Sequence, residues 1–277
     1  VDYGYLDKTG ALLSNPFNYR DTRTLGITDY VFSKFAPWEE IYGVTGIQNM
    51  NFNTLYQMAA DLRDRPWLVE NADKMLFVPD LLGYFLTGAK GTEYTIATTT
   101  QLYNPTTKDW DWETIRELGL PERIFTKIDK TGTIRGYLRP ELCEELGLNS
   151  AAFVAVGSHD TASAVAAIPG SGSFAFCSSG TWSLFGAEMD KPDLSPEALS
   201  RSFSNEGTIQ GSFRPLNNIV GMWIIQECRR DWQKQGIDLS WDAIVEAAKA
   251  ATPLVSVINP DAPDFYAGGN MVQKIKD

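Results

Sequence analysis

The chain has 277 residues, of which 43% are hydrophobic and 21% are charged, and its formal net charge at pH 7 is −11. This length and composition are typical of a globular protein with one large or two medium domains. The acidic charge excludes general binding to nucleic acids and anionic membranes, and no run approaches the roughly 18 apolar residues of a membrane span.

Short strands and helices alternate in the first part of the chain. Turn residues and hydrophobic spacing predict strands over 1–6 and 11–19, and helices over 53–63, 73–86 and 110–118. Gly119 and Pro121 end the last of these helices. The mixture is typical of an α/β domain.

The pattern of residues changes at Ser150. An apolar run, a polar turn and a helix of small residues are predicted, in this order, over 152–156, 157–160 and 161–167. Further along, two strands and the clearest helix of the sequence are predicted over 174–177, 182–187 and 218–234. We therefore expect two α/β domains, residues 1–150 and residues 151–277.

The numbers and positions of cysteine and histidine limit the disulfides and metal sites that the chain can form. Cys143, Cys177 and Cys228 are far apart and odd in number, which indicates the reduced thiols of a cytoplasmic protein rather than disulfides or a zinc cluster. The single histidine, His159, excludes most histidine-based metal sites. We predict no metal site built from the side chains of this chain.

Two segments resemble nucleotide-binding motifs, but neither meets the requirements of the motif it resembles. Residues 170–175 match the dinucleotide pattern G-x-G-x-x-A, but a predicted helix precedes them and a strand follows, the reverse of what that motif requires. Residues 83–91 loosely resemble a phosphate-binding loop, but they lack its Gly-Lys-Ser/Thr ending. We interpret both segments as ordinary loops.

Asp160 lies where a predicted buried strand ends and a helix begins. Backbone N–H groups and the helix dipole point to such a place. A carboxylate there can accept the proton of a substrate hydroxyl while a phosphoryl group arrives in line. From position alone, the commoner interpretation is that Ser158 or Asp160 merely caps the helix, since Ser and Asp are favoured caps.

Two other segments carry candidate contacts. The turn 178–181 combines glycine with three hydroxyls and can cradle phosphate, although many hairpin turns have the same composition. Asn218 and Gln226 lie about 12 Å apart along one face of the predicted helix. Polar residues on an amphipathic helix usually face solvent, so this placement is also compatible with no role in binding. The charged cluster 19–23 can bind vicinal hydroxyls, or can be an ordinary surface loop.

Taken together and in order, these segments resemble the rhamnulokinase branch of the FGGY carbohydrate kinase family. The resemblance extends over essentially the whole chain. It rests on Tyr19-Arg-Asp-Thr-Arg-Thr24, Gly46-Ile-Gln48, Glu93-Tyr-Thr95, Gly157-Ser-His-Asp-Thr-Ala-Ser-Ala-Val165, Ser178-Ser-Gly-Thr-Trp-Ser-Leu184, Asn205-Glu-Gly207 and Gly221-Met-Trp-Ile-Ile-Gln-Glu227.

The resemblance implies a fold and a set of roles. It implies two ribonuclease-H-like domains of the actin-like ATPase superfold around a cleft, both truncated, because the family's N-terminal phosphate hairpin and C-terminal Gly-rich region are absent. It implies ATP with Mg²⁺ as phosphoryl donor and a sugar as acceptor. The implied site residues are Asp160 as catalytic base, His159, Thr161 and Asn218 as sugar contacts, and Thr181 and Gln226 as ATP contacts.

The expected reaction is phosphorylation of the primary hydroxyl of L-rhamnulose, giving L-rhamnulose 1-phosphate, with this fragment weakly active or inactive in isolation. A family kinase for another ketose or polyol, such as fuculose or xylulose, is the nearest alternative, because specificity depends on few pocket contacts. A non-catalytic sugar-binding relative is a second alternative, which retention of Asp160 disfavours. The sequence does not determine the oligomeric state.

Overall fold

The computed structural model describes residues 1–170, 172–266 and 268–277. Its strands, in chain order, are β1 Tyr3–Leu6, β2 Lys74–Phe77, β3 Thr92–Glu93, β4 Tyr103–Asn104, β5 Asp109–Trp110, β6 Ile128–Asp129, β7 Thr133–Tyr137, β8 Ala152–Ala155, β9 Ala175–Ser179, β10 Trp182–Ala187, β11 Ser204–Gly207 and β12 Phe213–Val220. Its helices are α1 Ile27–Lys34, α2 Trp38–Thr45, α3 Thr54–Asp64, α4 Pro66–Asn71, α5 Val78–Thr87, α6 Tyr94–Ala97, α7 Trp112–Glu117, α8 Pro140–Leu146, α9 Asp160–Ala166, α10 Pro196–Ser200, α11 Trp223–Lys234, α12 Trp241–Ala250 and α13 Met271–Lys276.

Packing divides the chain into two compact units. The first contains residues 1–174 and 187–216, and the second contains residues 175–186 and 217–277. Strand β8 pairs antiparallel with β7 inside the first unit, so this hairpin crosses residue 150. The division into domains at residue 150 stays a prediction.

The core of the first unit forms around β1, β2 and α3. Strand β1 pairs antiparallel with β2, with Tyr3 opposite Phe77, and all four β1 residues are buried. Every α3 residue from Thr54 to Asp61 is buried as well, as expected of a helix enclosed on all sides. Arg65 separates α3 from α4, because Pro66 fits the first turn of a new helix but not the interior of the old one.

A buried ionic network includes Arg23 of the charged cluster 19–23. The Asp61 carboxylate accepts hydrogen bonds from the Tyr3 hydroxyl at 2.6 Å and the Tyr5 hydroxyl at 3.2 Å, and it pairs with Arg23 at 2.5 Å. Both members of the ion pair are almost fully buried. Arg23 therefore stabilises the core. Asp21 accepts from the Arg23 amide and caps a short 3₁₀ turn.

The second unit has strand and helix parts. Strand β12 runs into it from the first unit and lies beside β10, which neighbours β9. Helix α11 packs on α13, and Cys228, Phe265 and Met271 form a small buried core there. No helix in the described part of the chain combines the length and the apolar character needed to cross a bilayer.

Several predicted elements change type or bounds. The second predicted strand, 11–19, contributes only an isolated bridge between Leu12 and Leu6. The helix predicted over 73–86 begins as β2, because Lys74–Phe77 pairs with β1 in an extended backbone, and α5 starts where Pro79 fits the first helical turn. The loop 170–175 contains Ser171, which lies outside the described residues.

Candidate active site

The loop that follows β8 is held by one buried carboxylate. Glu93 is 1% exposed and caps α6, where its Oε2 accepts from the amides of Thr95 and Ile96. The same oxygen accepts from the Ser158 amide at 3.1 Å and the Ser158 hydroxyl at 2.9 Å. The His159 amide donates to the Thr95 hydroxyl at 3.1 Å. Helix α6 thus fixes the backbone immediately before Asp160.

Replacing Glu93 with Gln tests whether this carboxylate holds the backbone at Ser158. The Gln side chain has nearly the same shape as Glu, but its hydrogen bonds are weaker because it carries no charge. Its N–H groups also cannot accept from the donors that contact Glu93. We therefore expect a loss of about 2 kcal/mol in the free energy of unfolding. Urea unfolding measures the loss, and amide hydrogen exchange at Ser158 should accelerate. The exposed Glu117 provides the control. A Glu117→Gln variant that loses as much stability as Glu93→Gln would contradict this role of Glu93.

Asp160 is the first residue of α9, and its side chain is 97% exposed. Its Oδ1 accepts from the Thr161 amide at 2.7 Å, so the carboxylate satisfies one free N–H of the first turn. The Ser158 hydroxyl binds Glu93 instead of the helix. His159 occupies the N-cap position, so the interpretation of Ser158 or Asp160 as the cap is wrong. Asp160 supports the helix start from the first helical position and presents its carboxylate to solvent.

His159 joins Asp160 to a buried ion pair. Its Nε2 lies 3.6 Å from Asp160 Oδ1, and its Nδ1 lies 3.1 Å from Glu206 Oε2 and 2.5 Å from Arg214 Nη2. Arg214 is fully buried, and its Nη2 donates to Glu206 Oε2 at 2.7 Å. Burial alone would raise the pKa of Glu206, but the charge of Arg214 opposes this effect and the pKa falls to about 2. Glu206 is therefore a carboxylate at neutral pH.

The hairpin β11–β12 brings this ion pair to His159. Glu206 lies opposite Arg214 across the antiparallel pair. The Gly207 amide donates to the Thr98 hydroxyl at 2.8 Å, and a Cβ at Gly207 would lie 2.6 Å from the Tyr94 ring. The absence of a side chain at this position lets β11 approach α6 closely. Sequence reasoning did not assign a role to Glu93, Glu206 or Arg214, although Glu93 and Glu206 lie in the segments that carry the family resemblance.

The remaining candidates lie in the second unit. Thr181 is exposed in the turn between β9 and β10, and Ser179 is exposed at the end of β9. The amides of Gly221 and Trp223 donate to the Thr181 carbonyl oxygen, so the start of α11 docks on this turn. Gln226 follows within the first turn of α11 and is partly buried.

The prediction for Asn218 needs a correction. Asn218 lies on β12 and not on the helix, which begins at Trp223. The segment Phe213–Val220 is extended because its first residues pair with β11. The argument from helical spacing between Asn218 and Gln226 is therefore wrong, and Gln226 alone lies on α11.

Comparisons with known proteins give the family. The model of the N-terminal domain of the FGGY family of carbohydrate kinases matches residues 1–167, and the model of the C-terminal domain matches residues 175–275. Among curated relatives, proteins named rhamnulokinase from Bacteroides thetaiotaomicron and Oceanobacillus iheyensis are 42% and 40% identical over the whole of this chain. The chain spans 56% and 57% of their lengths, respectively.

Solved structures agree on the fold. A xylulose kinase and a gluconate kinase from Lactobacillus acidophilus superpose with TM-scores of 0.78 and 0.76, at 18% and 19% identity. Each match covers 91% of this chain and 50% of the other. These likenesses confirm the expected α/β, ribonuclease-H-like fold class. Because the two family models together match most of the sequence, the chain belongs to the FGGY family of carbohydrate kinases.

Proposed function

We propose that the full-length protein is an ATP-dependent sugar kinase that phosphorylates the primary hydroxyl of L-rhamnulose. The observation that carries the proposal is the exposed Asp160 carboxylate, which lies at the start of α9 beside His159 and follows a backbone that Glu93 holds at Ser158. The curated relatives named rhamnulokinase, at 38–42% identity, support the choice of sugar. The free cysteines are compatible with the reducing cytoplasm as the place of reaction.

Asp160 acts as the general base in this proposal. Its carboxylate is exposed and can therefore reach a substrate hydroxyl and accept the proton as the oxygen attacks. In phosphoryl transfer the protein contributes mainly position and charge, so the rigidity of the Ser158–Asp160 backbone is part of the function. The proton of the sugar hydroxyl moves to a carboxylate oxygen of Asp160.

We assign His159, Thr161 and Asn218 to the sugar. The Nε2 edge of His159 is directed to the Asp160 side, where a substrate oxygen would lie. Thr161 is 6% exposed, and its hydroxyl lies 3.4 Å from Asp160 Oδ1, so it helps to orient the base. Asn218 offers an amide that can donate and accept, as sugar hydroxyls require.

The second unit contains groups that fit ATP. The exposed Ser179 hydroxyl lies at the end of β9 and the exposed Thr181 hydroxyl lies in the turn that follows, and both can donate to an anionic phosphate. We assign Thr181 and Gln226 to the nucleotide. When bound, ATP would supply the phosphoryl group and Mg²⁺ would neutralise its charge. The described residues form no cluster of three or more metal-ligating side chains.

Sugar-dependent ADP release by the full-length protein tests the proposed function. We expect turnover with L-rhamnulose, ATP and Mg²⁺, and much lower kcat/KM with fuculose or xylulose. Turnover with xylulose but not with rhamnulose would retain the kinase and overturn the substrate. A folded full-length protein that releases ADP with none of these sugars would overturn the kinase and favour a sugar-binding relative.

A further inference from the structure

We propose that Arg214 is a positioning residue that fixes the tautomer of His159, so that the ring carries its proton on Nε2, the nitrogen that faces Asp160. The proposal rests on the proposed function only for its consequence, since Nε2–H would donate to a sugar oxygen beside the reacting hydroxyl. The tautomer itself follows from contacts within the first unit and is testable without substrate.

The contact between Arg214 and His159 is compatible with only one tautomer of a neutral imidazole ring. A guanidinium has N–H donors and no acceptor, and it stays protonated in proteins. Arg214 Nη2 lies 2.5 Å from His159 Nδ1, so Nδ1 must present its lone pair to this nitrogen. In a neutral imidazole the other nitrogen then carries the proton. The proton is therefore on Nε2.

The hydrogen atoms on Nη2 of Arg214 agree with this assignment, whereas the buried Nη1 has no hydrogen-bond partner among the described residues. Nη2 has two N–H groups and two neighbours, Glu206 Oε2 at 2.7 Å and His159 Nδ1 at 2.5 Å. Nε donates to the Gly207 carbonyl at 3.0 Å, which keeps the guanidinium plane in place. Since Arg214 is fully buried, water cannot replace either partner of Nη2. The arrangement is thus rigid on the side of Nδ1.

Glu206 favours the opposite tautomer, in which the proton is on Nδ1. Its carboxylate only accepts hydrogen bonds, and Oε2 lies 3.1 Å from His159 Nδ1. Without Arg214, a proton on Nδ1 would gain this partner. Arg214 prevents that outcome because it supplies a closer donor to Nδ1 and neutralises the Glu206 charge. The two residues compete for the tautomer, and their distances from Nδ1 favour Arg214.

The tautomer affects substrate binding on the exposed side of the His159 ring, which carries Nε2. His159 Nε2 is 3.6 Å from Asp160 Oδ1, which is too long for a hydrogen bond between them. The Nε2–H group is therefore available to a sugar oxygen that lies beside the base. With the proton on Nδ1 instead, Nε2 would accept rather than donate, and it would repel a carbonyl oxygen of a ketose.

Nitrogen NMR of the imidazole ring tests the proposal directly, because the chain contains one histidine and its ring signals need no assignment. With ¹⁵N-histidine in the 277-residue chain near neutral pH, we expect a protonated Nε2 and an unprotonated Nδ1 in the wild type. In Arg214→Met we expect the proton to appear on Nδ1, facing Glu206. In Glu206→Gln, which retains Arg214, and in the surface control Arg116→Met, we expect the wild-type tautomer.

Each result bears on the proposal. A wild-type ring with its proton on Nδ1 overturns it, and this measurement needs no variant, so a destabilised Arg214→Met leaves the test decisive. A folded Arg214→Met that keeps the proton on Nε2 also overturns it. The full-length enzyme adds a separate readout: a loss of roughly 10²-fold in kcat/KM for Arg214→Met is expected from misplacement of one contact. Failure of the sugar kinase assay would leave the NMR result unaffected.

Discussion

Replacing Asp160 with Asn is expected to lower the kcat of the full-length protein by about 10²–10⁴-fold, the usual contribution of a general base. Asn has nearly the same shape and can still accept from the Thr161 amide through its side-chain oxygen, so the start of α9 should remain intact. It cannot take up the proton of the sugar hydroxyl at neutral pH. Steady-state ADP release with L-rhamnulose and ATP measures the change.

A matched variant separates the base from an ordinary helix charge. Asp242 is also exposed in the first turn of a helix, α12, so Asp242→Asn removes a comparable favourable interaction with the helix dipole. We expect its kcat to equal that of the wild type. An Asp160→Asn variant that retains a wild-type kcat and changes only KM would show that Asp160 binds the sugar without acting as the base.

The local setting of Asp160 could be predicted from the sequence because it depends on neighbours in the chain. An apolar run, a Gly-containing polar turn and a small-residue helix predicted the strand, loop and helix, and the structure has β8 and α9 within a residue of their expected bounds at Asp160. The prediction that the strand is buried is wrong, because only Ala155 of β8 is buried. The turn at Thr181 was predictable for the same reason, since Gly and hydroxyl residues separate two apolar runs.

The groups that surround His159 could not be predicted in this way. His159 and Arg214 are 55 positions apart in the chain, and only the pairing of β11 with β12 and the packing of β11 on α6 bring them together. Asn218 illustrates a different limit. The helix predicted over 218–234 begins only at Trp223, because β12, which pairs with β11 through Phe213–Leu216, continues to Val220 and places Asn218 in a strand.

Arg135→Met is expected to reduce the free energy of unfolding by about 3–5 kcal/mol at neutral pH, because removal of one partner leaves a buried charge uncompensated. Arg135 Nη1 pairs with Asp80 at 2.6 Å and its Nε pairs with Asp129 at 2.9 Å. Arg135 and Asp80 are 4% and 2% exposed. The control is Arg116→Met, whose pair with Glu122 is about half exposed, and which should cost no more than about 1 kcal/mol.

The pH dependence of this loss identifies Asp80 as its source. Burial raises the pKa of Asp80 to about 6, although the charge of Arg135 acts to lower it. The folded state thus holds the proton more tightly than the unfolded state, whose Asp has a pKa of about 3.9. This group's contribution to stability is therefore complete below about pH 4 and is lost as the pH rises through about 6.

Without Arg135 the ionised Asp80 loses its compensating charge, so the stability difference between wild type and Arg135→Met should be larger at pH 8 than at about pH 5. Urea unfolding of the 277-residue chain at both pH values measures it. The double variant Arg135→Met with Asp80→Asn should recover most of the loss at pH 8, since no buried carboxylate remains to ionise at that position. A loss that is equal at both pH values, or that the second substitution does not reduce, would show that Arg135 stabilises the fold by packing and not by charge.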